Sequence, residues 1–88
     1  MDAVMSRITA DQIRMARASL GWSFEDFALN SGVSARTIRR IERENGLSVV
    51  TPANLKLIIT TLETAGVEFV GGPSDGPGVR LWGSEHEA

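Results

Sequence analysis

The chain has 88 residues, of which 42% are hydrophobic and 23% charged, which is the size and composition of one ordinary globular domain. No apolar run is long enough to span a bilayer, the first residues lack the apolar stretch of a signal peptide, and the absence of cysteine excludes disulfides and thiolate metal sites. The formal net charge of −2 argues against a protein that coats nucleic acid through bulk positive charge. Six of the nine basic residues are nevertheless arginines between Arg14 and Arg43, so we expect a cytoplasmic, mildly acidic molecule with one positive face.

The first two helices are marked by residues that cap helix N-termini. Thr9 is followed three residues later by a glutamine, which is the pattern of a capping box, and apolar residues then recur at helical spacing until a glycine. This pattern predicts a helix over residues 10–20. Ser23, with an aspartate in the matching position, repeats the signal and predicts a short helix at about 24–30. Gly32 follows it and can adopt the positive φ that ends a helix.

Two further helices are predicted after short connections. Ser34 is a third N-cap residue that follows closely on the second helix, so the helix at 35–44 begins after a tight turn. After a connector, a threonine and Pro52 provide an N-cap and a proline at the first helical position. A helix is therefore predicted over 52–65, with an apolar stripe on one side and Gly66 at its end.

The last part of the chain has the composition of a β-hairpin. The β-prone runs 67–70 and 79–82 flank the glycine-rich segment 71–78. An isolated hairpin is marginally stable in water and leaves backbone groups unpaired at its edges. We therefore expect it to pack on the fourth helix or to form a homodimer through residues 67–82. Residues 83–88 are expected to be a flexible tail.

One face of the third predicted helix carries four arginines. At about 100° per residue they form a stripe centred roughly 180° from Ile38 and Ile41. With no acidic residue among them they would repel one another unless phosphates or guanine edges neutralise them, and arginine pairs bidentately with guanine in the major groove. A merely solvated helix face is the alternative interpretation. We call this stripe the arginine face, and it consists of Arg36, Arg39, Arg40 and Arg43.

The segment from Phe24 to Arg43 resembles the helix-turn-helix domains of the lambda-repressor-like family, which includes Cro, the phage repressors and the XRE regulators. Its marks are a small residue where two helices touch, a turn glycine, an apolar residue after it and two apolar anchors: Ala28, Gly32, Val33, Ile38 and Ile41. The likeness covers about residues 9–62, and a further likeness to small bacterial transcriptional regulators reaches Trp82. The resemblance implies a mainly α fold, with a four- to five-helix DNA-binding domain over residues 1–66. The C-terminal two-stranded β-hairpin would extend the same domain.

The resemblance also implies roles for individual residues. The first residues of the third helix would face the bases, namely Ala35, Arg36 and, one turn further, Arg40. Four others would lie nearer the phosphates: Ser34, Thr37, Arg39 and Arg43.

Two positions concern the support of that helix. Arg17 and Glu42 stand where the family commonly has a buried ion pair between the first and third helices. The residue pattern agrees, because Arg17 falls on the apolar stripe of its helix and needs a partner if buried. Two unrelated surface charges are the alternative.

Phe24 departs from the family pattern, since a glutamine that contacts the DNA backbone usually stands there, and we expect it in the core or on a surface patch for a partner.

Other chemistries find little support. Segment 71–78 is not followed by the Gly-Lys-Ser/Thr of a phosphate-binding loop, and His86 has no second metal ligand near it. With no cysteine nucleophile and no catalytic histidine, we expect neither an enzyme nor a metal nor a cofactor.

Two functions therefore remain. The first is a sequence-specific regulator of transcription, expected to be a repressor, which binds double-stranded DNA at the nucleoid as a dimer. Its two third helices would enter successive major grooves about 34 Å apart. The second is an antitoxin-like interaction module, whose hairpin binds a protein partner such as a toxin and for which DNA binding is secondary.

Overall fold

The structure, a computed structural model, describes residues 8–44, 46–48 and 50–82. Within these residues there are four helices followed by two strands. They are α1 (Ala10–Leu20), α2 (Phe24–Ser31), α3 (Ala35–Glu44), α4 (Pro52–Thr64), β1 (Val67–Val70) and β2 (Gly78–Leu81). The expected mainly helical fold with a C-terminal two-stranded hairpin is confirmed. The predicted tail, 83–88, lies outside the described residues. None of the helices in the described part of the chain combines the length and the apolar character that a bilayer crossing needs.

Side-chain caps determine where the first helices begin. Thr9 Oγ1 accepts a hydrogen bond from the backbone N–H of Gln12 at 3.1 Å, and Gln12 Oε1 accepts one from the backbone N–H of Thr9 at 2.9 Å. Ser23 and Asp26 form the same reciprocal pair, with both bonds at 3.0 Å. Because these signals are local, the predicted ranges of α1, α2 and α3 agree with the structure to within one residue.

The core lies where the four helices and the hairpin meet. One face of each helix contributes to it, and Val67 of β1 is also buried. The hairpin packs against α1 and α4, while α3 packs against α2 and α1. The largest fully buried apolar side chains are Ile13, Phe27, Ile38, Ile41, Ile58 and Leu62.

The hairpin is antiparallel, with Val67 opposite Leu81 and Val70 opposite Gly78. The second strand begins and ends one residue earlier than the predicted range of 79–82. In this register the pairing reaches Gly78 of the glycine-rich segment, and the N–H of Trp82 donates to the carbonyl oxygen of Gly66 at 2.7 Å. The hairpin is thereby closed at the point where it leaves α4.

The side chain of Gln12 joins α1 to the hairpin. It is fully buried, and its Nε2 donates hydrogen bonds to the carbonyl oxygens of Val70 and Gly78, each at 2.9 Å. These two residues face each other at the loop end of the hairpin. Since Oε1 already accepts from Thr9, one buried amide both caps α1 and holds the hairpin.

We predict that Gln12→Met lowers the free energy of unfolding by about 2 to 3 kcal/mol, because the carbonyl oxygens of the half-buried Val70 and Gly78 lose a donor and the cap is lost as well. Thr9→Ala is the matched control, since it removes a cap hydroxyl but leaves the bonds from Gln12 to the hairpin, and it should cost about 1 kcal/mol. Urea unfolding monitored by circular dichroism measures both. Equal losses in the two variants would contradict the role assigned to Gln12.

Candidate nucleic-acid interface

The turn between α2 and α3 is short and is stabilised by its own hydrogen bonds. Gly32 has a φ of +77°, in the left-handed region that favours glycine. The buried hydroxyl of Ser31 accepts a hydrogen bond from the N–H of Val33 at 3.0 Å, and Val33 itself is buried. Ser34 Oγ accepts one from the N–H of Thr37 at 3.1 Å and so caps α3. These bonds determine where α3 begins relative to α2.

The arginine face points away from the core along its whole length. All four of its side chains are exposed, whereas Ile38 and Ile41 on the other side of α3 have no exposed surface. Of the other residues predicted to meet DNA, Ser34 is exposed, and Ala35 and Thr37 are half-buried. The predicted set therefore lies on one helix and its cap, and it forms one continuous surface.

Carboxylates accompany most of the arginine face. The expectation that no acidic residue lies among these arginines is wrong, because Glu44 follows Arg40 by one helical turn and Glu25 reaches across from α2. The N···O distances are 3.0 Å for Arg39–Glu25, 3.1 Å for Arg40–Glu44 and 3.7 Å for Arg43–Glu44. Among the described residues, Arg36 has no carboxylate within 4.0 Å.

A bidentate ion pair connects α1 to α3. Arg17 donates to Glu42 through Nε at 2.7 Å and through Nη2 at 2.9 Å, and the side chains are 21% and 8% exposed. Nη1 of Arg17 donates to the carbonyl oxygen of Trp22 at 3.0 Å. The hydrogen bonds to Glu42 raise the pKa of Arg17 above its ordinary value, although burial acts in the opposite direction. The charge at this position is thus permanent.

Phe24 lies between the buried ion pair and the arginine face. Its half-buried ring has the guanidinium carbon of Arg17 4.1 Å from its centroid and that of Arg39 at 5.0 Å. A guanidinium over an aromatic face is attracted to the ring's quadrupole. The residue that departs from the family pattern therefore packs against two arginines and positions one of them, Arg39, at the surface.

Sequence reasoning missed a second tie between α1 and α3. Arg14 Nη2 donates to the backbone carbonyl oxygen of Glu42 at 2.7 Å, and the same guanidinium pairs with Asp11. The carbonyl groups of the last helical turn have no partner within the helix, so an arginine reaching them from a neighbouring helix satisfies one of them. The only indication of this contact in the sequence is that a basic residue, Arg14, lies about one helical turn before Arg17.

Other site chemistries receive no support from the described part of the chain. Nowhere in it do three or more histidine, cysteine, aspartate or glutamate side chains come together as a metal site would require. His86 lies outside the described residues.

A protein-family model described as helix-turn-helix matches residues 13–69, which is more than half of the chain. The match runs from α1 into β1 and includes the whole of α2, the turn and α3. No curated protein and no solved structure matches the chain.

We predict that Glu42→Gln lowers the free energy of unfolding by about 2 to 4 kcal/mol, because it leaves the largely buried guanidinium of Arg17 without a counter-charge. Glu25→Gln breaks an exposed pair of the same type with Arg39 and should cost at most about 0.5 kcal/mol. Urea titration of the two variants tests this difference, and a cost for Glu42→Gln no larger than that of the control would show that the ion pair does not hold α3.

Proposed function

Because the chain belongs to the helix-turn-helix family of the lambda-repressor type and is a DNA-binding protein of that kind, we propose that it represses transcription by recognising a specific double-stranded DNA sequence. The major groove is about 12 Å wide and admits one α-helix, and here that helix is α3. The proposal rests on one observation. The arginine face is exposed along α3, while Ile38 and Ile41 hold the opposite side in the core.

In this proposal the residues nearest the start of α3 read the bases. Ala35 and Arg36 lie in its first turn and Arg40 one turn further along the same side. A guanidinium can pair bidentately with O6 and N7 of guanine, and the small side chain of Ala35 allows the backbone to approach the groove. Reading of sequence is thus assigned to Arg36 and Arg40.

The remaining polar residues position the helix on the backbone of the duplex. Arg39 and Arg43 flank the base-reading residues and contact phosphates, as do Ser34 and Thr37 at the N-terminal end, where free N–H groups favour an anion. Contacts of this kind give affinity and orientation without sequence information.

The proposed repressor acts on chromosomal DNA in the cytoplasm as a homodimer joined through the hairpin, residues 67–82. A two-stranded hairpin has an outer edge on each strand, and its backbone groups there can pair with a strand of a second copy. Two copies would place two α3 helices in major grooves one turn apart, about 34 Å.

We predict that the wild type binds a mixed-sequence duplex pool with log affinity falling against log salt by about 0.9 per phosphate contacted. Arg36→Ala or Arg40→Ala should reduce discrimination between the duplex that the wild type enriches from this pool and the pool itself by about 1 to 3 kcal/mol. Lys56→Ala, which removes an exposed cation on α4, is the matched control and should leave discrimination unchanged. If the wild type showed neither binding nor a salt slope at low ionic strength, the antitoxin-like interaction module would be the better reading.

We also predict two copies of the chain on each enriched duplex. Sedimentation equilibrium on the protein alone and with DNA gives the number of copies, and moving the half-sites from about 10 to about 15 base pairs apart should release the second copy, because the two α3 helices would then face opposite sides of the duplex. A single copy per duplex at every spacing would contradict the dimer.

A further inference from the structure

An open groove lies between α2 and the beginning of α3. Its volume is about 460 Å³, and most of the surface that lines it is apolar. Ser34 and Ala35, which belong to the surface proposed to meet DNA, form one side of it. The apolar lining on the other side comes from Ala28, Leu29 and Val33. The groove is therefore continuous with the proposed DNA interface.

Leu29 forms the outer wall of this groove. Its side chain is 85% exposed, more than that of any other large apolar residue in the part of the chain that the structure describes. A single exposed leucine is ordinary at a protein surface, but this one adjoins an apolar groove beside a binding surface. The one charged residue of the lining, Glu25, is paired with Arg39 at 3.0 Å. The groove thus offers contact to an apolar group and little to a polar one.

A DNA duplex presents one methyl group in its major groove, the C5-methyl of thymine. The other groups on the base edges there are hydrogen-bond donors and acceptors, which arginine can read and an apolar surface cannot. Ala35 is half-buried at the first position of α3, and an alanine side chain is of the kind that makes apolar contact with this methyl group. The chemistry of the groove therefore matches thymine among the four bases.

We infer that Ala35 is a specificity-determining residue, and that it and the groove beside it receive the C5-methyl group of a thymine in the recognised sequence. This inference rests on the proposed function. Ala35 and Arg36 are consecutive, so the thymine lies near the guanine that Arg36 is proposed to read. Leu29 and Ala28 shield the methyl group from water on the side away from α3.

The test replaces the thymines of the duplex that the wild type enriches, one at a time, by deoxyuridine. This change removes the C5-methyl group and keeps the base pair and its hydrogen-bonding groups. At one thymine of each half-site, we expect the affinity of the wild type to fall about threefold to fivefold, which is the effect of burying one methyl group. At that position, the ratio of the thymine to the uracil affinity should fall to about 1.5 in Ala35→Gly and to about 2 in Leu29→Ala, because each variant removes part of the apolar surface.

Leu57→Ala is the matched control, because it truncates another exposed leucine, on α4 and outside α2 and α3. It should leave the ratio at the value of the wild type. Both duplexes are measured with the same protein, so a variant that weakens all binding equally does not change the ratio. Urea unfolding of each variant shows that the comparison is made between folded proteins.

The outcomes separate the inference from the function on which it rests. If the wild type enriches a duplex but no replacement by deoxyuridine weakens binding, or if Ala35→Gly keeps the ratio of the wild type, the inference is wrong and the proposed function stands. If Leu29→Ala weakens binding to the thymine and uracil duplexes by one common factor that Leu57→Ala does not show, a protein surface covers the groove and the inference is again wrong. If the wild type enriches no sequence, the proposed function fails and the inference fails with it.

Discussion

The position of α3 depends on the guanidinium of Arg17. Its three nitrogens are all engaged, two by Glu42 of α3 and one by the carbonyl oxygen of Trp22 in the connection to α2. The ring of Phe24, the first residue of α2, covers the same group at 4.1 Å. One side chain therefore joins α1, the connection, α2 and α3. Because desolvation offsets much of the attraction within a buried ion pair, its main consequence is geometric: α3 cannot rotate about its axis without stranding a charge.

Two glutamates of α3 that are only two residues apart have different environments. Glu42 is 8% exposed and bound through both carboxylate oxygens, whereas Glu44 is 41% exposed and bound through one. A step of two residues turns an α-helix by about 200°, so the first points into the molecule and the second toward the arginine face. The inner carboxylate holds the helix in place, and the outer one forms exposed ion pairs with Arg40 and Arg43. A net charge of −2 is thus compatible with DNA binding, because the sign of the surface is decided locally.

The elements that could be predicted are those with local causes. The caps at Thr9, Ser23 and Ser34 act over three residues, and the helices begin where those caps place them. The second strand begins one residue before its predicted range because Val70 pairs with Gly78, which a β-propensity pattern does not encode. The pairing of Glu44 with Arg40 follows from a spacing of one helical turn, so the sequence alone is sufficient to predict it.

The contacts that could not be predicted join residues distant in the chain. Gln12 donates hydrogen bonds to carbonyl groups 58 and 66 positions away. In the sequence it is recognisable only as half of a capping box with Thr9, which gives no indication of these bonds. Likewise, Arg39 and Glu25 are 14 residues apart on different helices, so their pairing depends on the angle between α2 and α3. Such contacts depend on how the helices pack together. Helical periodicity and capping residues limit the possible packing arrangements but do not specify one of them.

Gln12 and Arg17 both lie on α1, so this helix is bonded to the hairpin and to α3. At one end, Gln12 holds the hairpin through two backbone carbonyls, and at the other, Arg17 holds α3. A short helix is stiff, so α1 holds the hairpin in a fixed position relative to α3. A second copy that pairs with the hairpin would therefore also be placed at a fixed position relative to the arginine face. In the proposed dimer, the distance between the two α3 helices is then a property of the fold rather than of the DNA. A protein built in this way should select its half-site spacing as well as its bases, because moving α3 relative to the hairpin within one copy would break the hydrogen bonds of Gln12 or the ion pair of Arg17.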